Sequence, residues 1–451
     1  MNLHGGISRR AFIKTIIKKE EAAQRNAAII NMKHTINQEM VMDISAKLNV
    51  IADKDAKALF SFGAKALGDD KELCGLRLTT AHEQLMMQFA APKPEGYEGK
   101  ADEILVNASK FAAVLASLNS LKSDVFVDIR DNICIVGVDG KAQVPVPLLA
   151  EGTEQMKPGQ VMFNIQVSTK DFLPFLKKGL MCSDEANSDR GLNNSMMSVN
   201  TETGLLTGFS TDGYIVGFSE TKAALAPGKN SDAEAAALAA YLEGRETKDV
   251  PVLLPRQTVE HLRVFMQGIE SFRLSVTDKH VVACLGNSAI YISVQGATMP
   301  IGIPQVRKIM DAEPEARASL DNGELDKCLS FVNAMNDTIN DKPSLPPMKI
   351  SLGDGFIKAE SGLNGTLASR AKAAASEGAA DLSVNGKLAK IALSYLGKGG
   401  VIIGFVKNNN NGVLTLSNGN LATGEDGSGK LALIGLKMPE TVEETTEATA
   451  E

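Results

Sequence analysis

Few residues in this chain of 451 have types and spacing that suggest chemistry. Residues 424–430, GEDGSGK, have the GxxxxGK spacing of a loop that binds a nucleotide phosphate. Leu431 follows where such loops place the Ser or Thr that binds Mg²⁺. An alternating strand pattern also follows where a helix should present its N-terminus. The segment therefore predicts a hairpin turn.

The other residues that could do chemistry form no recognisable catalytic or metal-binding pattern. The five histidines form neither an HxxxH nor an HExxH pair, and no GxSxG segment occurs. Asp212, in a Thr-Asp-Gly turn, could be a catalytic carboxylate, but an Asp there more often caps its own turn. The sequence therefore predicts a protein that is not an enzyme and holds neither a cofactor nor a metal.

Composition limits the class of protein. A net charge of −7 and a pI near 5.5 argue against coating of nucleic acid by the whole surface, although they allow a basic patch. Five cysteines, widely spaced in apolar runs, indicate reduced thiols. The sequence has no apolar run of about 18 residues that could span a membrane. We therefore expect a cytoplasmic protein.

Residues 252–268 define the element that positions polar groups, a strand that leads into an amphipathic helix. The strand VLL ends at Pro255, which fixes φ where a helix can begin. Apolar and polar side chains then fall on opposite helix faces. The apolar face has Val259, Leu262, Phe265 and Met266, and the polar face has Arg256, Glu260, Arg263 and Gln267.

Five more segments have the same pattern, at residues 34–51, 104–121, 162–180, 318–335 and 381–396. In each of the five, a residue that favours the N-cap precedes the helix: Asn37, Asn107, Ser168, Asp321 and Asn385. Any α+β protein shows some such steps, but six of similar pattern indicate internal repetition. Their spacing exceeds the roughly 20–50 residues of a solenoid repeat and suits a small two-layer half-domain.

Turn signals and charge divide the chain. Alternating strands joined by turns, such as Asp139-Gly140, lie between the helices. We expect three domains, residues 32–152, 153–315 and 316–439. An Ala-rich insert, 223–250, predicts a surface helix at residues 232–242. A charged N-terminal extension, 1–31, contains a chance match to a twin-arginine signal, and an acidic disordered tail covers 440–451.

Five short segments carry a resemblance to a known family. They are Thr211-Asp212-Gly213, residues 252–256 (VLLPR), Ile303-Pro304 with Arg307-Lys308-Ile309, residues 107–111 (NASKF) and residues 433–437 (LIGLK). Through these segments, taken together along the chain, residues 32–439 resemble the bacterial sliding clamp, the beta subunit of DNA polymerase III. The resemblance implies an α+β fold of three repeated DNA-clamp domains, each of two strand–helix half-units. It further implies a head-to-tail homodimer that forms a six-domain ring.

The implied function is to encircle double-stranded DNA of any sequence and tether the replicative DNA polymerase, with a clamp loader as a further partner. Lysine and arginine on the polar helix faces would attract phosphates without reading bases. The candidate DNA contacts are Lys47, Lys110, Lys170, Lys177, Lys178, Arg256, Arg263, Lys327, Lys387 and Lys390. Acidic residues share these helices, so a solvated helix face is the alternative for each.

The resemblance also implies a hydrophobic cleft that binds short peptides of partner proteins. Its wall would contain Thr211, Gly213, Tyr214, Val216, Pro304, Lys308, Ile309, Leu433, Ile434 and Leu436. Four residues depart from common family residues, namely Asn193, Tyr214, Ile215 and Gly435. Two other functions remain open: a β-rich self-assembling structural protein, and a hydrolase that uses Asp212.

Overall fold

The computed structural model describes residues 33–51, 55–80, 83–94, 101–130, 133–150, 156–157, 159–184, 191–226, 231–293, 299, 301–339, 347–361, 368–407 and 412–436. The predicted extension (1–31) and acidic tail (440–451) lie outside these residues. The chain divides into two compact units. Unit 1 is Met1–Val161 with Leu274–Ser293, and unit 2 is Met162–Arg273 with Val294–Glu451.

The described helices, in chain order, are α1 Gln38–Ile51, α2 Ala108–Asn119, α3 Thr169–Phe175, which continues as a π-helix over Leu176–Leu180, α4 Ser231–Leu242, α5 Arg256–Phe265, α6 Ile303–Met310, α7 Asn322–Ile339 and α8 Gly386–Leu396. None of the helices in these ranges is long and apolar enough to cross a membrane.

The strands alternate with these helices along the chain. They are β1 Lys33–Ile36, β2 Lys57–Ala66, β3 Lys71–Thr79, β4 Glu83–Pro92, β5 Asp102–Asn107, β6 Val125–Arg130, β7 Ile133–Val138, β8 Ala142–Pro147, β9 Val161–Ser168, β10 Asn194–Asn200, β11 Leu205–Thr211, β12 Ile215–Lys222, β13 Ala224–Ala226, β14 Asp249–Pro255, β15 Ser271–Thr277, β16 His280–Leu285, β17 Ser288–Ser293, β18 Ala316–Asp321, β19 Met348–Gly353, β20 Phe356–Ser361, β21 Ala368–Lys372, β22 Ala375–Glu377, β23 Ala380–Val384, β24 Gly400–Val406, β25 Val413–Asn420 and β26 Glu425–Ile434.

All six predicted strand–helix steps are confirmed. β1, β5, β9, β14, β18 and β23 lead into α1, α2, α3, α5, α7 and α8. The side chains of Asn37, Asn107, Asp321 and Asn385 accept backbone N–H groups of the first helical turn, as N-caps do. Ser168 also occupies the predicted N-cap position, but its side chain makes no capping hydrogen bond. The predicted insert helix is present as α4, and none of its residues is buried.

Unit 1 contains two sheet regions on which α1 and α2 depend for burial. One is a four-stranded sheet of order β1-β6-β7-β8, and the other runs β15-β16-β17-β4-β3-β2-β5. The inward residues of the helices are fully buried, among them Val41 and Leu48 on α1 and Phe111 and Leu115 on α2. Phe111 meets Phe60 of β2 with ring centroids 4.7 Å apart. The apolar helical spacing therefore marks the packed faces correctly.

Unit 2 also contains helices packed on two sheets. A nine-stranded sheet has the order β14-β10-β11-β12-β26-β25-β24-β18-β22, and a four-stranded sheet has the order β21-β20-β19-β23. One buried core joins α7 and α8 to both sheets and includes Leu329, Leu393, Ile350 and Leu416. The predicted hairpin is present between β25 and β26, but its turn lies at residues 421–424, and residues 425–430 already belong to β26. This segment therefore lacks the helix of a phosphate loop.

A three-stranded meander recurs in both units. The six meanders are β2-β3-β4, β6-β7-β8, β10-β11-β12, β15-β16-β17, β19-β20-β21 and β24-β25-β26. Within unit 1 the third strand of one meander pairs with the third strand of another, β4 with β17. Within unit 2 the same relation joins β12 to β26. The two remaining third strands, β8 and β21, end their sheets. Leu148, the residue after β8, forms an isolated bridge to Val106 of β5.

Candidate functional site

The turn between β11 and β12 begins the predicted cleft. The carboxylate of Asp212 accepts the backbone N–H groups of Tyr214 at 2.8 Å and Ile215 at 2.7 Å. Thr211 Oγ1 accepts the N–H of Gly213, which has φ +96°. Burial raises the pKa of Asp212, although the N–H groups of Ile215 and Tyr214 act in the opposite direction. Asp212 therefore organises its own turn and presents the neighbouring Tyr214 to solvent.

Helix α6 packs on the sheet beside this turn. Arg307 forms an ion pair with Glu220 of β12, and Thr207 Oγ1 donates to the same carboxylate oxygen at 3.0 Å. The Arg307 guanidinium also lies 5.8 Å from the centroid of the Phe218 ring. These contacts orient the helix so that Val306 faces the sheet and is fully buried.

An apolar surface forms where α6 meets β11, β12 and β26. Thr211 pairs with Val216, which pairs in turn with Ala432, so the three side chains share one face of the sheet. Ile434 continues this face two residues beyond Ala432. The buried cluster here contains Phe209, Val216, Phe218, Val306, Met310, Val406, Val413 and Ala432. Partly buried Met196, Met299, Ile301, Ile303, Ile309 and Ala312 pack against it.

The structure brings most of the predicted cleft residues to the rim or floor of this surface. Val216 lies in the floor and Ile309 is half-buried beside it. Tyr214 is 50% exposed, and its carbonyl accepts the Ile434 N–H at 2.8 Å. Pro304 and Lys308 are exposed on α6. Together these residues give an apolar floor with an aromatic and a basic group at its margin.

One predicted wall residue lies elsewhere. The side chain of Leu433 points to the opposite face of β26 and packs in the core with Ile215 and Cys182. Residue alternation along a strand explains the correction, because Ala432 and Ile434 share one face and Leu433 takes the other. After β26 the chain turns away from the sheet, and the N–H of half-buried Leu436 donates to the carbonyl of Ser383.

A cavity that the sequence did not reveal adjoins the end of α6. Its volume is about 510 Å³, and its lining includes Met310, Ala312, Gly404, Thr415 and Lys430. The Lys430 ammonium lies 3.4 Å from the Met310 carbonyl. The sequence signal for this cavity was the spacing of Lys430 and Ala432 on β26, because residues two apart on a strand face the same side of the sheet.

A second candidate surface lies between α7 and α8. Lys387 and Lys390 are exposed, one helical turn apart, and line a groove of about 490 Å³ with Ile391 and Ser394. Asp326, Ser330, Asn333 and Ala334 of α7 form the other wall. The buried hydroxyl oxygen of Ser330 has no partner among the described residues. This groove therefore has two exposed lysines on its α8 wall.

The remaining predicted DNA contacts differ in exposure. Lys110, Lys170 and Lys327 are exposed, and Lys177 is half-buried. The side chain of Lys47 is 13% exposed and paired with Asp43 at 2.9 Å. Arg256 and Arg263 share Glu260, at 2.8 and 2.7 Å. Ion pairing therefore reduces the charge that these three side chains present.

Lys178 does not lie on an exposed polar face, contrary to the prediction. The π-helix turns it into the protein, where it is 8% exposed and its carbon chain packs over Gly429. Burial lowers its pKa. In the part of the chain that the structure describes, no cluster of three or more His, Cys, Asp or Glu could hold a metal ion.

Comparisons with known proteins identify this fold. No model of a protein family matches the sequence, and no curated protein matches it. The DNA polymerase III beta subunit of Thermotoga maritima matches in structure over 90% of this chain and 100% of its own length, with 12% identity and a TM-score of 0.69.

Two further solved structures agree. The DNA polymerase III subunit beta of Borrelia burgdorferi, in complex with a natural product, covers 91% of this chain and 99% of its own, with 15% identity and a TM-score of 0.69. The sliding clamp of Pseudomonas aeruginosa bound to griselimycin covers 90% and 100%, with 13% identity and a TM-score of 0.66. The chain thus has the sliding-clamp fold, which confirms the predicted resemblance at the level of the fold.

Proposed function

We propose that this protein is a sliding clamp, which encircles duplex DNA as a homodimer and tethers a replicative DNA polymerase to it. The observation that carries the proposal is the sixfold repetition of strand, helix and meander in the sliding-clamp fold. A clamp loader would open and close the ring, and the site of action is the cytoplasm.

The topology supports a head-to-tail dimer. Third meander strands pair with each other inside each unit, β4 with β17 and β12 with β26. The same rule applied to β8 of one copy and β21 of a second copy uses the two remaining third strands. Because the two edges differ, the contact is heterologous, and such contacts generate rings when the rotation closes.

Electrostatics support weak, sequence-independent contact with DNA. Phosphate contacts fix a protein on duplex DNA and carry no sequence information directly. Exposed lysines of the helices suit this purpose, and the strongest pair is Lys387 and Lys390 in the groove between α7 and α8. The exposed residues Lys110 and Lys170 complete this set, whereas Lys327 is paired with Glu324 at 2.7 Å. A closed ring holds DNA by linkage, so these contacts need not be tight.

The apolar surface beside α6 is proposed as the cleft for partner peptides. An apolar floor with a few polar groups at its rim is the usual composition of a ligand site. Val216, Ala432 and Val306 provide the floor, and half-buried Ile309 with exposed Tyr214 provides accessible area. A hydrophobic side chain of an extended peptide would occupy this floor, and Lys308 would favour an acidic neighbour.

Retention on circular DNA tests the ring directly. The protein is loaded on nicked circular DNA with a clamp loader and ATP, and the bound fraction is measured before and after linearisation of the DNA. Topological linkage predicts retention on the circle and release from the linear product. Equal release from both forms would refute encirclement, and a mass measurement that shows only monomer would do so independently.

The alternative functions have less support. A hydrolase that uses Asp212 would need this carboxylate free for substrate, but it accepts two backbone N–H groups of its own turn. A self-assembling structural protein would not release from DNA on linearisation. The circular-DNA experiment therefore distinguishes a self-assembling structural protein from a sliding clamp.

A further inference from the structure

The six meanders follow one another in three pairs along the chain, and the segments after the first two pairs make similar contacts. Each lies on a sheet face that points away from the core, here called an outer face. After β8, the Met156 N–H donates to the side chain of Gln84 on β4 at 3.0 Å. Gln84 alternates with fully buried Leu85, so it points to the outer face. After β17, helix α6 lies on β12 through the ion pair of Arg307 and Glu220. In both cases the contacted strand is the last strand of the first meander of the pair.

The segment after the third pair begins in the same way as the segment after the first. The N–H of Leu149, which follows β8, donates to the carbonyl of Leu105 at 2.8 Å. The N–H of Leu436, which follows β26, donates to the carbonyl of Ser383 at 2.7 Å. Each acceptor stands two residues before an N-cap asparagine. By this repetition, the residues after Leu436 lead towards the outer face of β21.

The outer face of β19, β20 and β21, together with β23, is basic. Ile350, Ile357 and Ala371 are buried on the core side of these strands, so the residues that alternate with them point outward. Phe356 is among the outward residues and is 38% exposed. The charged outward residues are four basic and two acidic ones, namely Lys349, Lys358, Arg370, Lys372, Glu360 and Asp381.

The acidic residues of this face pair with only some of its cations. Lys349 pairs with Asp381 at 3.0 Å, and Lys358 pairs with Glu360. On β21, Arg370 lies opposite Lys358 in the ladder, and Lys372 lies opposite Phe356. Both β21 cations are exposed. Because like charges directly opposite each other destabilise a sheet, an anion over β21 would stabilise it.

The residues that follow Leu436 have the complementary charge. Residues 437–451, outside the described ranges, contain five glutamates and one lysine. Fifteen extended residues span at most roughly 50 Å, whereas four strands are roughly 14 Å across, so this segment can reach β21. Attraction between opposite charges does not require the segment to adopt one conformation.

We infer that residues 437–451 dock on the basic outer face of β19, β20 and β21, where their glutamates meet Arg370 and Lys372. The docked segment neutralises cations that would otherwise attract DNA phosphates to this face. The contact lies within one chain, so the inference does not depend on the proposed ring.

The first test locates the segment in the full chain. A carbodiimide couples a carboxylate directly to an amine, and peptide mass spectrometry identifies the coupled residues. Glutamates of residues 440–451 should couple mainly to Lys358 and Lys372, and less at high salt, because salt screens exposed charges. Coupling to Lys358 should be lost in Arg370→Glu/Lys372→Glu and persist in the control Lys65→Glu/Lys71→Glu, whose residues are exposed on β2 and β3. Coupling mainly to Lys308 would place the segment at the peptide cleft and overturn the inference, as would the absence of coupling from these glutamates.

The second test measures whether the segment shields this face from DNA. A chain that stops after Lys437 lacks all five glutamates. Its affinity for linear duplex DNA, from fluorescence anisotropy, should rise about fivefold, the effect of one or two exposed ion pairs. The same truncation in Arg370→Glu/Lys372→Glu should change the affinity less than about twofold, because the two effects are coupled when the groups are in contact. Circular dichroism checks the folding of each variant.

The outcomes separate docking from a general effect of charge and from the proposed function. An equal rise in affinity on truncation in both backgrounds would show only the change in net charge and overturn the docking. An affinity that truncation leaves unchanged would overturn the shielding of this face. Linear DNA requires neither a ring nor a loader, so a failure of retention on circular DNA would refute the proposed clamp and leave this inference unaffected.

Discussion

His34 Nδ1 lies 2.9 Å from the Glu72 carboxylate, and its Nε2 lies 3.0 Å from Asp102, so both ring nitrogens contact an acid inside unit 1. His34 is 1% exposed and stacks on Phe62 with ring centroids 4.4 Å apart. Burial lowers the pKa of His34, but the hydrogen bonds and the charges of Asp102 and Glu72 outweigh it and raise the pKa above its ordinary value of 6.5. The folded state thus favours the imidazolium.

This arrangement predicts that stability decreases with rising pH. A pKa raised on folding contributes stability that is fully present below the unfolded value, near 6.5, and is lost as pH rises through the folded value. Urea unfolding across this range should show the loss, and His34→Gln should remove it. In His280→Gln the loss should persist, because burial lowers the pKa of His280. A wild-type midpoint that is flat with pH would contradict the prediction.

The helix caps provide a second prediction. Asn385 accepts the N–H groups of Lys387 and Leu388 at 3.0 and 3.2 Å. Asn385→Ala should therefore lower the free energy of unfolding by about 1 kcal/mol. Ser168→Ala is the control, since Ser168 makes no capping hydrogen bond and its loss should cost much less. Chemical denaturation measures both, and equal costs would show that the caps do not act as the geometry indicates.

The caps also show what the sequence could predict. Capping residues, apolar helical spacing and alternating strands are local signals, and they located all six strand–helix steps. The prediction included no strand at β2 or β19 to β21, although these strands complete the sheets. Strand β2 contains Gly63 at a register shift, and β21 is short and mostly exposed, so their patterns are weak.

The site residues were harder to predict for physical reasons. The face on which a strand residue lies depends on register, so an error of one position exchanged Leu433 for Ala432. Lys178 follows an α-helical stripe in sequence, but the π-helix rotates it into the core. Register and helix type both depend on tertiary packing, which no local pattern encodes.

The proposed peptide cleft predicts a separable binding defect. Tyr214→Ala and Ile309→Ala remove exposed and half-buried apolar area at its margin. Each should weaken a clamp-binding peptide roughly fivefold to thirtyfold, since an apolar side chain contributes about 1–2 kcal/mol. Tyr241→Ala, on the insert helix α4, is the control. Fluorescence anisotropy measures the affinities, and unchanged binding in both cleft variants would exclude this surface.

Asp212 distinguishes a structural carboxylate from a catalytic one. In Asp212→Asn the side-chain oxygen can still accept the N–H groups of Tyr214 and Ile215, so the turn and retention on circular DNA should persist. Asp212→Ala removes the acceptor and should lower the free energy of unfolding by about 1–3 kcal/mol. Thermal unfolding and the circular-DNA experiment provide the readouts. A folded Asp212→Asn protein that lost its DNA function would indicate chemistry at this carboxylate.

The lysines of the α7–α8 groove give the sharpest test of DNA contact. Lys387 and Lys390 are exposed on one turn of α8, so reversal of both charges should leave the buried residues of the helix untouched. Each phosphate contact contributes about 0.9 to the slope of log affinity against log salt, so Lys387→Glu/Lys390→Glu should reduce the slope by about 2. Retention on nicked circles and processive synthesis should also decrease in this variant.

Lys65→Glu/Lys71→Glu is the control, since it makes the same charge change on exposed strand residues and should have little effect. A slope that is unchanged by the α8 variant would remove this groove from the DNA path, whereas equal losses in both variants would indicate only a general effect of net charge.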